Sequence, residues 1–129
     1  MPNATIEVRK RYTREQEVAM IDAVHAALME GIKTPDWDKT IRLVVHEPHR
    51  FATPPKKDDR YTLVDIDLFS GRSLEAKKAL YRAVVKNLSK LGIPADHVKI
   101  LLRESPAENW GIRGGVPASE VDLGFKVDV

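Results

Sequence analysis

The chain has 129 residues, 43% of them apolar, which suffices for one modest core and would starve two independent ones. Its 21 Lys and Arg face 19 Asp and Glu, and the charges are scattered with no basic stripe interleaved with aromatics, so nucleic acid is not an expected partner. Without cysteine there is no disulfide, thiolate metal site or Cys nucleophile, and no apolar run approaches the roughly 20 residues that span a bilayer, so a cytoplasmic protein is the expectation.

Residues 5–8 read as an opening strand. Thr13 followed by Gln16 has capping-box spacing and predicts a helix start, with Val18, Ile21, Val24 and Leu28 on one face and Gly31 placed to end the helix in a left-handed conformation. Pro35, Asp36, Trp37 and Asp38 form a turn, and the β-branched residues 41–45 predict a strand that stops before Pro48. Residues 52–60, with Pro54, Pro55 and a charged run from Lys56, lack periodicity and read as a surface linker. The same order then returns. Residues 63–68 predict a strand, Ser73 caps a helix whose apolar stripe is Leu80, Val84, Leu88 and Leu91, Gly92 ends it, and residues 98–102 predict a last strand.

Thr13 pairs with Ser73, Glu15 with Glu75, Gly31 with Gly92, Arg42 with Lys99 and Glu47 with Glu104, at offsets of roughly 57 to 61 that suggest an internal duplication. The halves are 2–51 and 61–129, joined by 52–60 within a single domain over 1–129. A helix between two strands makes a right-handed crossover between parallel neighbours. Two such units sharing a core predict an α+β fold of two fused βαβ units, a four-stranded mixed sheet with both helices on one face. The other face needs cover if its residues are apolar, and an oligomer would supply it.

Three stretches resemble a known family. Trp110-Gly111-Ile112-Arg113-Gly114 is similar to the closing hairpin of the short members of the tautomerase superfamily, and Ser70-Gly71-Arg72-Ser73-Leu74-Glu75 looks like the junction that begins the helix in 4-oxalocrotonate tautomerase. Pro2 completes the pattern, and residues 40–45 resemble that family's second strand, in which an arginine can hold the place of Arg42. Over nearly its whole length the chain is similar to the fused members, such as malonate semialdehyde decarboxylase, and Asp38 falls at the place of that enzyme's catalytic aspartate. Two departures stand out: Ser70-Gly71-Arg72 keeps one cation of the decarboxylase's arginine pair, and Tyr12 replaces the junction arginine of the short members. The resemblance implies a homotrimer.

Loss of Met1 is sterically easy before a small side chain and would leave Pro2 with a free secondary amine, able to take a proton from carbon beside a carbonyl and return it elsewhere. Arg72, at a helix start, suits a carboxylate or an enolate and disfavours a charged amine nearby. Asp38 can orient water, which decarboxylation or hydration needs, and Trp110 offers an apolar wall with its ring N–H free for an oxygen. Arg42 and Lys99 bind a second carboxylate or decorate strand edges. Each residue also has a plainer reading: an idle proline, a solvated helix-start arginine, an aspartate capping its turn, a tryptophan filling the core. His46 and His49 have no third ligand at a convincing spacing, so no metal is expected, and His25 and His97 read as exposed. Gly111, Gly114 and Gly115 suit positive backbone angles in a hairpin.

The expected function is cofactor-free proton transfer on a small 2-oxo or enol carboxylic acid, by Pro2 as acid or base, with Arg72, Asp38, Trp110 and Arg42 as its site. Decarboxylation or hydration of a short 3-oxo acid is the alternative among enzymes, and a catalytically weak trimeric scaffold or binding protein the alternative of another class.

Overall fold

The computed structural model describes residues 2–125 and 127. Strand β1 (Asn3–Val8) leads to helix α1 (Arg14–Ile32), strand β2 (Ile41–Val45), strand β3 (Thr62–Phe69), helix α2 (Leu74–Ser89) and strand β4 (Val98–Ser105), and a short hairpin of β5 (Gly111–Ile112) and β6 (Val116–Pro117) follows. The main sheet has the order β2-β1-β3-β4, parallel within each half and antiparallel where β1 meets β3. The four strands and two helices are the mixed sheet expected of two βαβ units. No helix among the described residues is long and apolar enough to cross a membrane.

Thr13 and Gln16 form the reciprocal capping box, with the Gln16 N–H donating to Thr13 Oγ1 at 3.2 Å and the Thr13 N–H to Gln16 Oε1 at 2.8 Å. The buried face of α1 is Met20, Val24, Ala27, Leu28 and Ile32, whereas Val18, expected in the stripe, is 51% exposed. Gly31 does not end the helix. The left-handed residue is Lys33 (φ 61), and Gly31 is required for another reason: a Cβ there would come within 2.5 Å of Leu80 Cα, so the bare backbone lets α1 and α2 touch. In α2 the stripe Leu80, Val84 and Leu88 is buried, but Leu91 lies beyond the helix end and is 40% exposed. Gly92 does take a positive φ, of 91°.

Alternation sends Ala4, Ile6 and Val8 of β1, and Val64, Ile66 and Leu68 of β3, into the core beneath the helices. The opposite face is largely polar. Arg42 Nη2 donates to Thr5 Oγ1 at 2.9 Å, His46 Nε2 lies 2.9 Å from Glu7 Oε1, and Arg103 is held between Asp65 and Asp67 at 3.2 and 3.0 Å. Such a face exerts little of the hydrophobic demand for cover that an apolar one would.

The register relates the two halves residue by residue. The helix caps Thr13 and Ser73 correspond at an offset of sixty residues, and a local twofold axis through the Thr5–Asp65 pair, which exchanges Ala4 with Val64, keeps that offset in the strands. Ala4 also pairs with Ile41, and Val64 with Ile100, so the same axis exchanges Ile41 with Ile100, and with them Asp38 with His97, Thr40 with Lys99 and Phe51 with Trp110. Arg42 therefore corresponds to Leu101, not to Lys99 as the sequence spacing suggested; a slip of two residues keeps the face and escapes notice in the hydrophobic pattern.

His25 and His97, expected in solvent, are buried. Each has a backbone partner that explains it. His25 Nε2 donates to the Asp36 carbonyl at 2.9 Å, while His97 Nε2 accepts the Asp58 N–H at 3.2 Å and its Nδ1–H is given to Asp96 at 2.8 Å.

Candidate active site

Pro2 is buried where the chain enters β1, and the residues around it come from three junctions. The parallel pairing of β1 with β2 places the Ala4 N–H on the Thr40 carbonyl at 3.0 Å, which brings the segment between α1 and β2 against the start of β1. The hairpin after β4 closes the third side. A cavity of about 250 Å³ results, lined by Pro2, Asn3, Asp38, Thr40, Trp110 and Ile112.

Asp38 is held from its own turn, its N–H donating to the Pro35 carbonyl at 3.1 Å, and it is buried. The turn is braced from beneath by the His25 bond to Asp36. Trp110 is fixed three ways: its ring stands edge-on to Phe69 at 5.0 Å, its carbonyl accepts the Ala118 N–H at 2.8 Å, and its Nε1–H donates to Ser105 Oγ at 2.8 Å. The last bond corrects the expectation of a free ring N–H. Ser105 ends β4 and takes that donor, so Trp110 offers the cavity its apolar face. Arg113, Gly114 and Gly115 all have positive φ, the sharp reversal that turns Ile112 toward Val116; Gly111 does not share it.

Arg72 follows β3 and is only 6% exposed, its Nη1 donating to the Phe69 carbonyl at 2.9 Å. Burial pulls its guanidinium below the ordinary arginine value, against which Glu104 and Asp38 push it back up. It thus stays in electrostatic reach of Asp38 without being one of the lining residues. Arg42, on the polar sheet face and engaged with Thr5, is not among the lining residues. Of the five residues singled out from the sequence, three meet in one cavity, one lies close by and one is elsewhere.

Asn3, Thr40 and Ile112 line the cavity and were not picked out from the sequence. Asn3 becomes visible only once the parallel register is known; Thr40 and Ile112 sit inside the strand and hairpin stretches already quoted.

A family model described as tautomerase enzyme matches residues 38–113, more than half of the chain. The chain belongs to the tautomerase family. It is similar to the probable tautomerase YusQ of Bacillus subtilis (strain 168), 26% identical over 121 residues that cover 89% of this chain and 95% of that protein. The solved structure of FG41 malonate semialdehyde decarboxylase inhibited by 3-bromopropiolate matches at TM-score 0.75 and 28% identity, over 89% of this chain and 92% of that one. A fused 4-OT solved as an asymmetric trimer matches at TM-score 0.83 and 18% identity, over 95% of this chain and 99% of that one, a likeness of fold. The tautomerase fold and a tautomerase-superfamily enzyme follow from these findings together.

Proposed function

We propose that this tautomerase-family enzyme moves a proton on a small 2-oxo or enol carboxylic acid, using the secondary amine of Pro2 once Met1 is removed. Met1 lies outside the described residues, so its removal is part of the proposal. The observation that carries the reading is a buried Pro2 sharing one cavity with Asp38 and Trp110, with the buried Arg72 in electrostatic reach of Asp38.

A chain-terminal amine titrates at about 7.7 to 8.0 in water. Burial disfavours its charged form, and the positive charge of Arg72 offsets the Asp38 carboxylate in the same cavity, so the amine is taken as a neutral base at physiological pH. That base takes the hydroxyl proton of an enol, and the resulting ammonium returns it to carbon, so the amine is regenerated and no atom is gained or lost. Asn3 and Thr40 offer an amide and a hydroxyl to the substrate's oxygens, Trp110 and Ile112 exclude water, and Arg72 adds positive potential where charge develops on oxygen. The step calls on no cofactor.

Asp38 in the cavity favours a second reading, decarboxylation or hydration of a short 3-oxo acid, because a carboxylate beside the substrate positions water and hinders an anion with no water to activate. Assembly as a homotrimer is proposed by analogy with the fused 4-OT trimer.

Ketonisation of 2-hydroxymuconate and of phenylpyruvate enol, on protein whose intact mass shows Met1 lost, tests the reading. Pro2→Ala is expected to lower kcat/KM by about a hundredfold or more, the usual worth of a positioned general base. Equal rates would overturn it and leave the binding or scaffold role. If Asp38→Asn abolishes loss of CO2 from malonate semialdehyde while sparing ketonisation, the second reading describes a separate activity of the same cavity.

A further inference from the structure

The local twofold axis carries the Pro2 cavity onto a second one at the opposite end of the sheet. β1 and β3 run antiparallel, so the start of β3 lies at the far end from the start of β1, and there a cavity of about 330 Å³ is lined by Phe51, Ala52, Pro54, Tyr61, Leu63 and Lys99. The correspondence is specific. Phe51 stands where the axis puts Trp110, Leu63 where it puts Asn3, and Lys99 where it puts Thr40. Each pocket thus combines the start of the first strand and the beginning of the second strand of one half with the turn that follows the second strand of the other half.

What the axis does not carry over is the chemistry. The place of Pro2 is taken by Thr62, an internal residue whose nitrogen is an amide and cannot act as a base, and the place of Arg72 is taken by Tyr12, whose buried hydroxyl has no hydrogen-bond partner among the described residues. The second pocket is instead walled by rings. Phe51 stacks on His46 at 5.2 Å and 11°, and lies 6.4 Å from Tyr61. At its edge Lys99 is exposed, and among the described residues its ammonium has neither an ion pair nor a side-chain hydrogen bond. Its cross-strand neighbour is the apolar Leu63, and the carboxylate one strand further, Glu7, is already taken by His46. Asp58 and Asp96 nearby are engaged by Arg60 and by Lys57 and His97. An apolar, ring-lined cavity with one uncommitted cation at its rim is complementary to a small monocarboxylate with an aromatic or apolar body.

We propose that this second cavity, walled by Phe51, Tyr61 and Leu63 and edged by Lys99, is a non-catalytic binding site for a small aryl monocarboxylate. It holds the class of anion that the Pro2 cavity is proposed to transform, without a group to transform it. The site stands on its own geometry and does not depend on whether Pro2 is catalytic.

Titration of the full-length, methyl-labelled protein with phenylacetate tests it, because Leu63 and Ile112 report the two cavities separately. Saturable shifts of the Leu63 methyls are expected, and Lys99→Met, which keeps an exposed chain of similar length but removes the charge, is expected to weaken that binding at least tenfold while leaving the Ile112 response unchanged. Phenethyl alcohol, which lacks the carboxylate, is expected to bind the Leu63 pocket as weakly in the parent protein as phenylacetate does in Lys99→Met. The proposal is overturned if the Leu63 methyls stay still at phenylacetate concentrations that saturate Ile112, or if Lys99→Met leaves their affinity unaltered. A shift at Leu63 with none at Ile112 would support the second site while telling against a carboxylate substrate at Pro2.

Discussion

Replacing Gly31 by alanine sets two effects of opposite sign against each other. Inside a helix Ala is favoured over Gly by about 1 kcal/mol, and by no more than that at Gly31, one residue from the end of α1, so propensity alone predicts a more stable protein. The packing predicts the reverse. The new Cβ would lie 2.5 Å from Leu80 Cα and 2.7 Å from Leu80 N, where ordinary contact begins at 3.4 Å, and both atoms are backbone that no rotamer change can move. The helices must part by roughly 1 Å along a contact that buries Met20, Val24, Leu80, Val84 and Leu88, and overpacking of that kind costs about 3 kcal/mol at the upper end of its usual range. The net expectation is a loss of about 2 kcal/mol, or a urea midpoint lower by about 1 M at a slope of about 2 kcal/mol per M. Because self-association would shift apparent stability, the comparison is made at one protomer concentration. The strand-ward end of α1 also feeds the turn that carries Asp38, so turnover is expected to fall with the midpoint. An unchanged or raised midpoint would refute the close-approach argument and leave Gly31 without a packing role.

Three further outcomes follow from the site and its surroundings. Trp110→Phe keeps a ring against Phe69 but forfeits the bond to Ser105, so it is expected to lose about 1 kcal/mol and part of the activity, and Ser105→Ala should reproduce the loss; if Ser105→Ala is silent in thermal melts and kinetics, the bond does not fix the ring. His25→Phe leaves the Asp36 carbonyl without its donor, and the freed turn is expected to lower kcat more than it raises KM; a variant with parent kinetics would show that Asp38 holds its place unaided. The Asp58 carboxyl is held well below the usual carboxylate range by side-chain and backbone hydrogen bonds involving Arg60. Its folded pKa is depressed, so its stabilisation is present above the unfolded value of about 3.9 and is lost as pH falls below it. Acid unfolding of Asp58→Asn followed by circular dichroism is therefore expected to have a shallower pH dependence below about pH 4 than the parent, and an identical profile would count against the linkage.

The architecture was legible because it is written in local signals. Thr13 with Gln16 and Ser73 before α2 name the helix starts, and the alternation through residues 63–68 names a strand and its inner face. What escaped was set by distant contacts. Gly31 reads as a helix end until Leu80 is seen beside it, and Val18 and Leu91 fit a helical period without facing the core. His25 and His97 look like surface residues because their partners, the Asp36 carbonyl and the Asp58 N–H, are backbone groups that a sequence does not display.

The same distinction divides the site. Pro2, Asp38 and Trp110 lie at the ends of elements, where a motif can mark them, and they meet in the cavity. Arg42 shares its sheet face with Thr40 and Asn3, but its guanidinium is engaged by Thr5 one pair further along the strands, and it is not among the residues that line the cavity. Asn3 and Thr40 belong to the cavity through the parallel pairing of β1 with β2, and Trp110 loses its free N–H to Ser105 at the end of β4, where the chain turns back into the hairpin.

The most direct test of the central claim is the titration of the Pro2 nitrogen itself, followed by nitrogen NMR on protein labelled with 15N-proline and freed of Met1. Burial in a cavity where Arg72 offsets the Asp38 carboxylate predicts a midpoint below the 7.7 or so of an ordinary chain-terminal amine, with a neutral base at pH 7. A midpoint at or above about 8 would mean an ammonium at neutral pH, and the proposal of Pro2 as the base would be contradicted.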